Sequence, residues 1–222
     1  MSKSNGEQVG PTPSADLLTP DNCAFLFVDF QPQMFFGVGG TDRGKIINAA
    51  VGLAKTAKVF NIPTIVTTVA ANTFSGHLIP QVQAEFPDAE LLDRTSMNSW
   101  EDVAVVDAVK AIGRRKLVLA GLWTEVCILL PALSALAQGY EVYVVADASG
   151  GMSAEAHDHA ISRMTQAGAS PVTWVQVLLE LQRDWSRTET YTPVRTVSAE
   201  NAGAYGLGLV YGADFLGLHA EA

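Results

Sequence analysis

Hydrophobic positions along this chain fall in short unbroken runs separated by longer stretches of helical spacing. Residues 24–28 (AFLFV), 64–69 (TIVTTV), 117–121 (LVLAG) and 141–146 (EVYVVA) are largely apolar or β-branched. Each is too short for a buried helix, so each predicts a strand covered on both faces. Weaker strand signals lie at 90–93 and 170–174. Between the runs, apolar residues three and four apart predict helices. Ile46, Ala49, Ala50, Leu53, Ala54 and Ala57 mark one that reaches Phe60, and a short one follows at 82–86. Others span 103–112, closed by Gly113, then 153–167 and 175–185. Leu129, Leu130, Leu133 and Leu136 mark a helix that starts near Thr124, and Pro131 inside it predicts a kink or a tightened first turn. Strand and helix alternate from residue 24 to residue 185. That pattern predicts an α/β fold, a Rossmann-like doubly wound sheet of about six parallel strands flanked by helices.

The two ends read differently. Residues 1–20 are rich in Ser, Gly, Pro and Thr and are expected to be a flexible leader, with the domain spanning 21–186. Residues 187–195 are polar, and 203–217 (GAYGLGLVYGADFLG) interleave glycine with Tyr, Leu, Val and Phe. Such a stretch argues against a regular helix, yet it carries too much apolar surface to stay solvated. Residues 187–222 are therefore expected to form an arm that packs on a neighbouring subunit, a disordered tail being the alternative.

Composition narrows the function classes. Hydrophobic residues make up 48% and charged ones 17%, which permits a large core, and the net charge of −9 argues against nucleic acid as a partner. No apolar run approaches a membrane span, and the amino terminus lacks a basic-then-apolar signal pattern. The two cysteines, Cys23 and Cys127, show no metal-binding spacing, and such sparse use fits the reducing cytoplasm.

Candidate chemistry gathers at the strand ends, because parallel topology places every strand-to-helix junction on one edge of the sheet. Asp29 follows the first strand, either as a site acid or as a loop acid that accepts from backbone N–H groups. Gln31 with Phe35 and Phe36, together with Trp100 and Trp123, offers polar groups beside apolar surface, suited to a small-molecule pocket or to a subunit contact. Arg94 is either a site cation or the surface partner of Asp93 or Glu101. Cys127 falls in the first turn of its helix, with Thr124 as a cap and Glu125 beside the helix dipole. There it is either a nucleophile with a lowered pKa or a small buried core residue. His77 reads as a solvated loop residue, and His157 and His159 as exposed ones. An acid, a cation and a thiol on one rim suit a covalent hydrolase.

These residues also carry a resemblance. FLFVDFQ around Asp29, the strand-end Arg94 and LAGLWTEVCILLPAL around Cys127 resemble the isochorismatase-like cysteine hydrolases, which include nicotinamidases and N-carbamoyl amidases. VVADASGG after the fifth strand and RMTQAGA near Arg163 add to it, and TEVC, Pro131 and DASG together are most similar to the YcaC-like branch. The resemblance covers roughly residues 21–185 and implies a six-stranded parallel sheet. It implies Asp29 as general base, Cys127 as nucleophile and no cofactor. It further implies a cis peptide between Leu122 and Trp123, with the N–H groups of Trp123 and Cys127 forming an oxyanion hole. A homo-oligomer, an octamer by resemblance, and a small amide or carbamoyl substrate are expected with it.

Two departures bear on that reading. Many members carry lysine where Arg94 stands, and the Asp-x-His pattern of metal-dependent nicotinamidases has no counterpart between Ala70 and His77, so no metal is expected. Members that hydrolyse isochorismate typically lack the cysteine, so Cys127 argues against that substrate. Two other readings stay open from sequence: a thiol-based redox or scavenging protein, and an assembly protein with a decayed site.

Overall fold

A computed structural model of the chain describes residues 12–217; the rest of the leader (1–11) and residues 218–222 lie outside the described residues. The chain enters β1 (Cys23–Val28), passes α1 (Pro32–Phe36) and α2 (Arg43–Val59), and continues through β2 (Thr64–Val69), α3 (Pro80–Gln83) and β3 (Leu91–Arg94). It then crosses by α4 (Val103–Ile112) to β4 (Lys116–Gly121), α5 (Leu129–Ala137), β5 (Glu141–Val145), α6 (Ala154–Gln166), β6 (Ser170–Val172) and α7 (Trp174–Gln182). Two further helices follow, α8 (Thr188–Asn201) and α9 (Gly203–Leu216). The six strands form one sheet in the order β3-β2-β1-β4-β5-β6, and every neighbouring pair is parallel.

This order explains the apolar runs. β1 and β4 lie at the centre of the sheet with helices on both faces, and all six residues of each are buried. Phe25, Phe27, Leu117 and Leu119 are fully buried there, each contributing about 1.5–3 kcal/mol of hydrophobic stabilisation. α2 packs Ile46, Ala50, Leu53 and Ala54 inward, and its start is capped by the Asp42 carboxylate, which accepts from the N–H groups of Gly44 and Lys45. The chain winds from β1 out to β3 and then returns to β4. That reversal opens a crevice beyond the carboxyl ends of β1 and β4, where such sheets build sites.

Five expectations need correction. Residues 203–217 were expected to resist regular helix, yet α9 forms. Gly206 lets it close on α8, since a Cβ there would lie 2.2 Å from the Ser198 carbonyl oxygen. α8, expected to be part of an arm on a neighbouring subunit, packs on its own chain instead, burying Val194 and Val197 in the core. The leader likewise joins the core by residue 18: Leu18 is fully buried, its N–H donates to Glu180 and its carbonyl accepts from Arg183. The turn ahead of Pro131 is widened rather than tightened. Pro131 has no N–H to give the Cys127 carbonyl four residues back, and Thr124–Ile128 takes π geometry. The last core helix also ends earlier than expected, at Gln182, leaving Trp185 half exposed.

Candidate active site

The site is built outward from Asp29. This residue leaves β1 with φ of 57°, a left-handed conformation that costs free energy for a residue with a side chain but that Asp and Asn tolerate best. Its N–H remains on the sheet, donating to the Thr67 carbonyl at 3.1 Å. The twist turns the carboxylate toward β3, where Arg94 is the last strand residue. The guanidinium meets it as a fork: one terminal nitrogen donates to Oδ1 at 3.0 Å and the other to Oδ2 at 2.9 Å. Neither side chain is exposed. Arg94 also donates to the Thr68 carbonyl at 3.2 Å, and the Thr67 hydroxyl lies 3.4 Å from Asp29 Oδ1. The surface-pair alternative for Arg94 is therefore not what forms; Asp93 instead accepts from the Thr68 hydroxyl and the Ala71 N–H.

Cys127 approaches the same carboxylate from the β4 side. It lies in the π turn, 2% exposed, and its thiol faces Asp29 closely enough for each to alter the other's proton affinity. Burial raises the proton affinity of Asp29 above that of an ordinary carboxylate, with Arg94 opposing. Burial, followed by the Asp29 charge, pushes the Cys127 thiol up to about 12, with Arg94 and the Trp123 N–H opposing. The expectation of a lowered thiol pKa is thus overturned. It weighed only the helix terminus, whereas desolvation and a facing carboxylate are the larger effects here. Cys23 is also pushed up to about 12 by burial, but it sits at the opposite end of β1 and its thiol donates to the Thr19 carbonyl.

The turn between β4 and the π segment contains a cis peptide between Leu122 and Trp123, at the position the resemblance implied. The Trp123 indole N–H donates to the Met34 carbonyl at 2.7 Å, which ties this turn to α1. The pocket candidates separate. Gln31 is fully buried and committed to backbone: its amide group donates to the carbonyls of Val69 and Gly76, and its oxygen accepts from the Val69 N–H. Phe35 packs into the core near Phe30, while Phe36 is 72% exposed at the rim. Trp100 is buried edge-to-face on Tyr140, the residue before β5, and so points toward the amino edge of the sheet.

Two features of the site escaped the sequence reading. Thr67, opposite Val28 across the β1–β2 pair, places its hydroxyl near Asp29; a threonine pair inside an otherwise apolar strand was the available signal. Thr124 does not cap a helix. Its hydroxyl oxygen lies 2.8 Å from His157 Nδ1, and His157 is half-buried rather than exposed, whereas His159 and His77 are exposed. Among the described residues no group of three or more His, Cys, Asp or Glu side chains could hold a metal ion, and no helix is long and apolar enough to cross a membrane.

Known proteins are similar to this chain in sequence and fold. The isochorismatase domain pattern matches residues 23–176. The probable hydrolase YcaC of Escherichia coli is 41% identical over 169 residues, covering 76% of this chain and 81% of that protein. Its crystal structure, described as an octameric hydrolase of unknown specificity, superposes with a TM-score of 0.86 at 38% identity, covering 92% of this chain and 99% of that one. YcaC from Pseudomonas aeruginosa, solved with hexane-2,5-diol and covalent acrylamide, superposes with a TM-score of 0.84 at 35% identity over 89% of this chain and 98% of that one. On this fold, and on a sequence match that runs through both strand ends of the crevice, the chain belongs to the isochorismatase family of hydrolases, on its YcaC-like branch.

Proposed function

We propose that this chain is a cofactor-free cysteine hydrolase of small amides, carbamoyl compounds or related C–N bonds, working through a thioester. The observation that carries the reading is the buried Asp29 carboxylate, held by the Arg94 fork with the Cys127 thiol facing it. With its pKa near 12 the thiol is not a standing thiolate, so its proton leaves as sulfur attacks. Asp29, whose proton affinity burial raises, takes that proton while the S–C bond forms at the substrate carbonyl. The N–H groups of Trp123 and Cys127 stabilise the oxyanion. The C–N bond then breaks, and the leaving nitrogen takes the proton from Asp29. Water, deprotonated by Asp29, attacks the thioester and breaks the S–C bond, and the proton returns to sulfur. The covalent acrylamide in the Pseudomonas relative supports the presence of a reactive nucleophile on this branch. The redox-scavenger alternative needs an exposed thiol of low pKa, and Cys127 is buried with a raised one.

The first test is labelling. Iodoacetamide at alkaline pH, followed by peptide mapping, is expected to modify Cys127 ahead of Cys23. Both thiols have raised pKa values, but Cys127 lies at the crevice edge of the sheet with Arg94 opposing the rise. Cys23 is fully buried at the opposite end of β1, with its thiol donating to the Thr19 carbonyl. Preferential modification of Cys23 would remove Cys127 as the nucleophile.

Assembly is the second part of the proposal. α9 exposes Leu207, Tyr211, Phe215 and Leu216, each more than half exposed, and this is the surface expected to pack against another copy, as the octameric E. coli relative suggests. Truncation after Thr190 would strip Val194 and Val197 from the core, so the informative cut is after Ala202. That variant is expected to stay folded and to show a smaller mass by light scattering. An unchanged mass would remove α9 from the interface.

A further inference from the structure

The turn that carries Cys127 is gripped from one side by the chain that follows β5. Gly121 donates its N–H to the Ser149 hydroxyl at 3.3 Å, and its carbonyl accepts from the Gly150 N–H at 3.4 Å. Beyond the cis bond, the Thr124 N–H donates to the Gly150 carbonyl at 3.0 Å. Glu125 Oε1 accepts from the Met152 N–H at 2.8 Å, while its Oε2 is buried with no partner among the described residues. The fit leaves no slack. A Cβ on Gly150 would lie 2.6 Å from Ile46 Cδ1, and one on Gly151 would lie 2.6 Å from Glu125 Oε2 and 3.0 Å from the His157 nitrogen. Two of these hydrogen bonds flank the cis turn, and the side-chain link between Thr124 Oγ1 and His157 Nδ1 ties the π segment to the third residue beyond the start of α6.

None of these groups is placed to take part in bond making. What they share is the turn three residues ahead of the thiol. We propose that the Ser149–Met152 loop is a positioning clamp for Cys127 and that His157, acting through Thr124, is its side-chain latch. This rests on the thiol reading given above. A nucleophile displaced by about 1 Å can lose on the order of 100-fold in rate, so a buried π turn with an unpartnered carboxylate oxygen is worth holding from outside. His157 suits the role because burial keeps its imidazole neutral, with Asp158 and Glu125 opposing, so Nδ1 can accept the Thr124 proton.

The test reads the pH dependence of Cys127 alkylation by iodoacetamide, alongside the thermal midpoint, in Thr124→Val, Thr124→Ser, His157→Ala and His159→Ala. Thr124→Val keeps the volume and removes the hydroxyl, so it decides the matter should His157→Ala fail to fold. Freed of the latch, the thiol drifts from the Asp29 carboxylate, and the profile is expected to move down toward the ordinary thiol range of about 8.5. Thr124→Ser is expected to restore the wild-type profile, and His159→Ala, on the exposed face of α6, to leave it unchanged. A merely structural role would lower the thermal midpoint and leave the profile in place. Profiles for Thr124→Val and His157→Ala that superimpose on wild type, or that move further up, would overturn the proposal. A wild-type Cys127 that resists alkylation at every pH, by contrast, would sink the thiol reading itself and the clamp with it.

Discussion

Asp29→Asn is expected to abolish nearly all turnover while making Cys127 easier to alkylate. Asparagine suits the backbone, since it tolerates the left-handed φ of 57° as aspartate does. It cannot accept the thiol proton, and loss of a general base typically costs about 10²–10⁴-fold in rate. The same change removes the negative charge that, after burial, does most to raise the thiol pKa, and Arg94 is left beside the sulfur without its counter-charge. The alkylation profile should therefore shift to lower pH. Two readouts moving in opposite directions separate a base from a residue that only supports the fold. The fold will pay as well, because a buried guanidinium without its partner typically destabilises by about 3–5 kcal/mol, so rates must be normalised to the folded fraction by circular dichroism. Turnover near wild type on any amide that the parent hydrolyses would take Asp29 out of the mechanism, and an unmoved alkylation profile would separate it from Cys127.

The sheet was legible in the sequence because a parallel strand covered on both faces must be apolar at successive positions. β1 and β4 show that pattern in CAFLFV and KLVLAG, and parallel topology alone puts Asp29 and Cys127, which follow them, on one edge. The edge strands were less distinct: β3 and β6 are short and partly exposed, and their bounds moved by a residue or more. The pairing of Asp29 with Arg94 could be inferred only as far as topology carries. That the guanidinium is forked onto both carboxylate oxygens, and fully buried, depends on the reach of one side chain across β2.

What was not legible is what distance in sequence conceals. The thiol pKa was read from its local helix terminus, but burial and a carboxylate from the other central strand decide its direction. Thr124 looked like a cap because capping is a local pattern, while its partner, His157, arrives from α6. α9 looked unable to form because glycine disfavours isolated helices by about 1 kcal/mol each. Packing reverses the balance here, since it is glycine at 206 that allows α9 to approach the Ser198 and Ala199 carbonyls.

Arg94→Ala is expected to shift the alkylation profile in the opposite sense to Asp29→Asn. In the wild type the guanidinium lowers the thiol pKa and opposes the rise at Asp29. Without it, Asp29 is a buried carboxylate that has lost both short hydrogen bonds, and its proton affinity rises further. Even a raised carboxyl ionises ahead of a thiol pushed up to about 12, so the two groups meet as charges where Cys127 titrates. There the sulfur faces a negative charge with no cation to offset it, so its profile moves up. A carboxyl whose proton affinity is raised is harder to keep ionised as the base, so turnover falls and is partly recovered as pH rises. Arg94→Lys keeps the positive charge, so its alkylation profile should stay near wild type. One ammonium cannot bridge both carboxylate oxygens as the fork does, so only part of the turnover should remain. Removing the buried partner also costs stability, and thermal denaturation should show Arg94→Ala well below Arg94→Lys. The deciding measurement is the pair of alkylation profiles: Arg94→Ala above wild type and Asp29→Asn below it. Shifts of the same sign in both variants would mean that the two side chains act on Cys127 through the fold rather than through their charges.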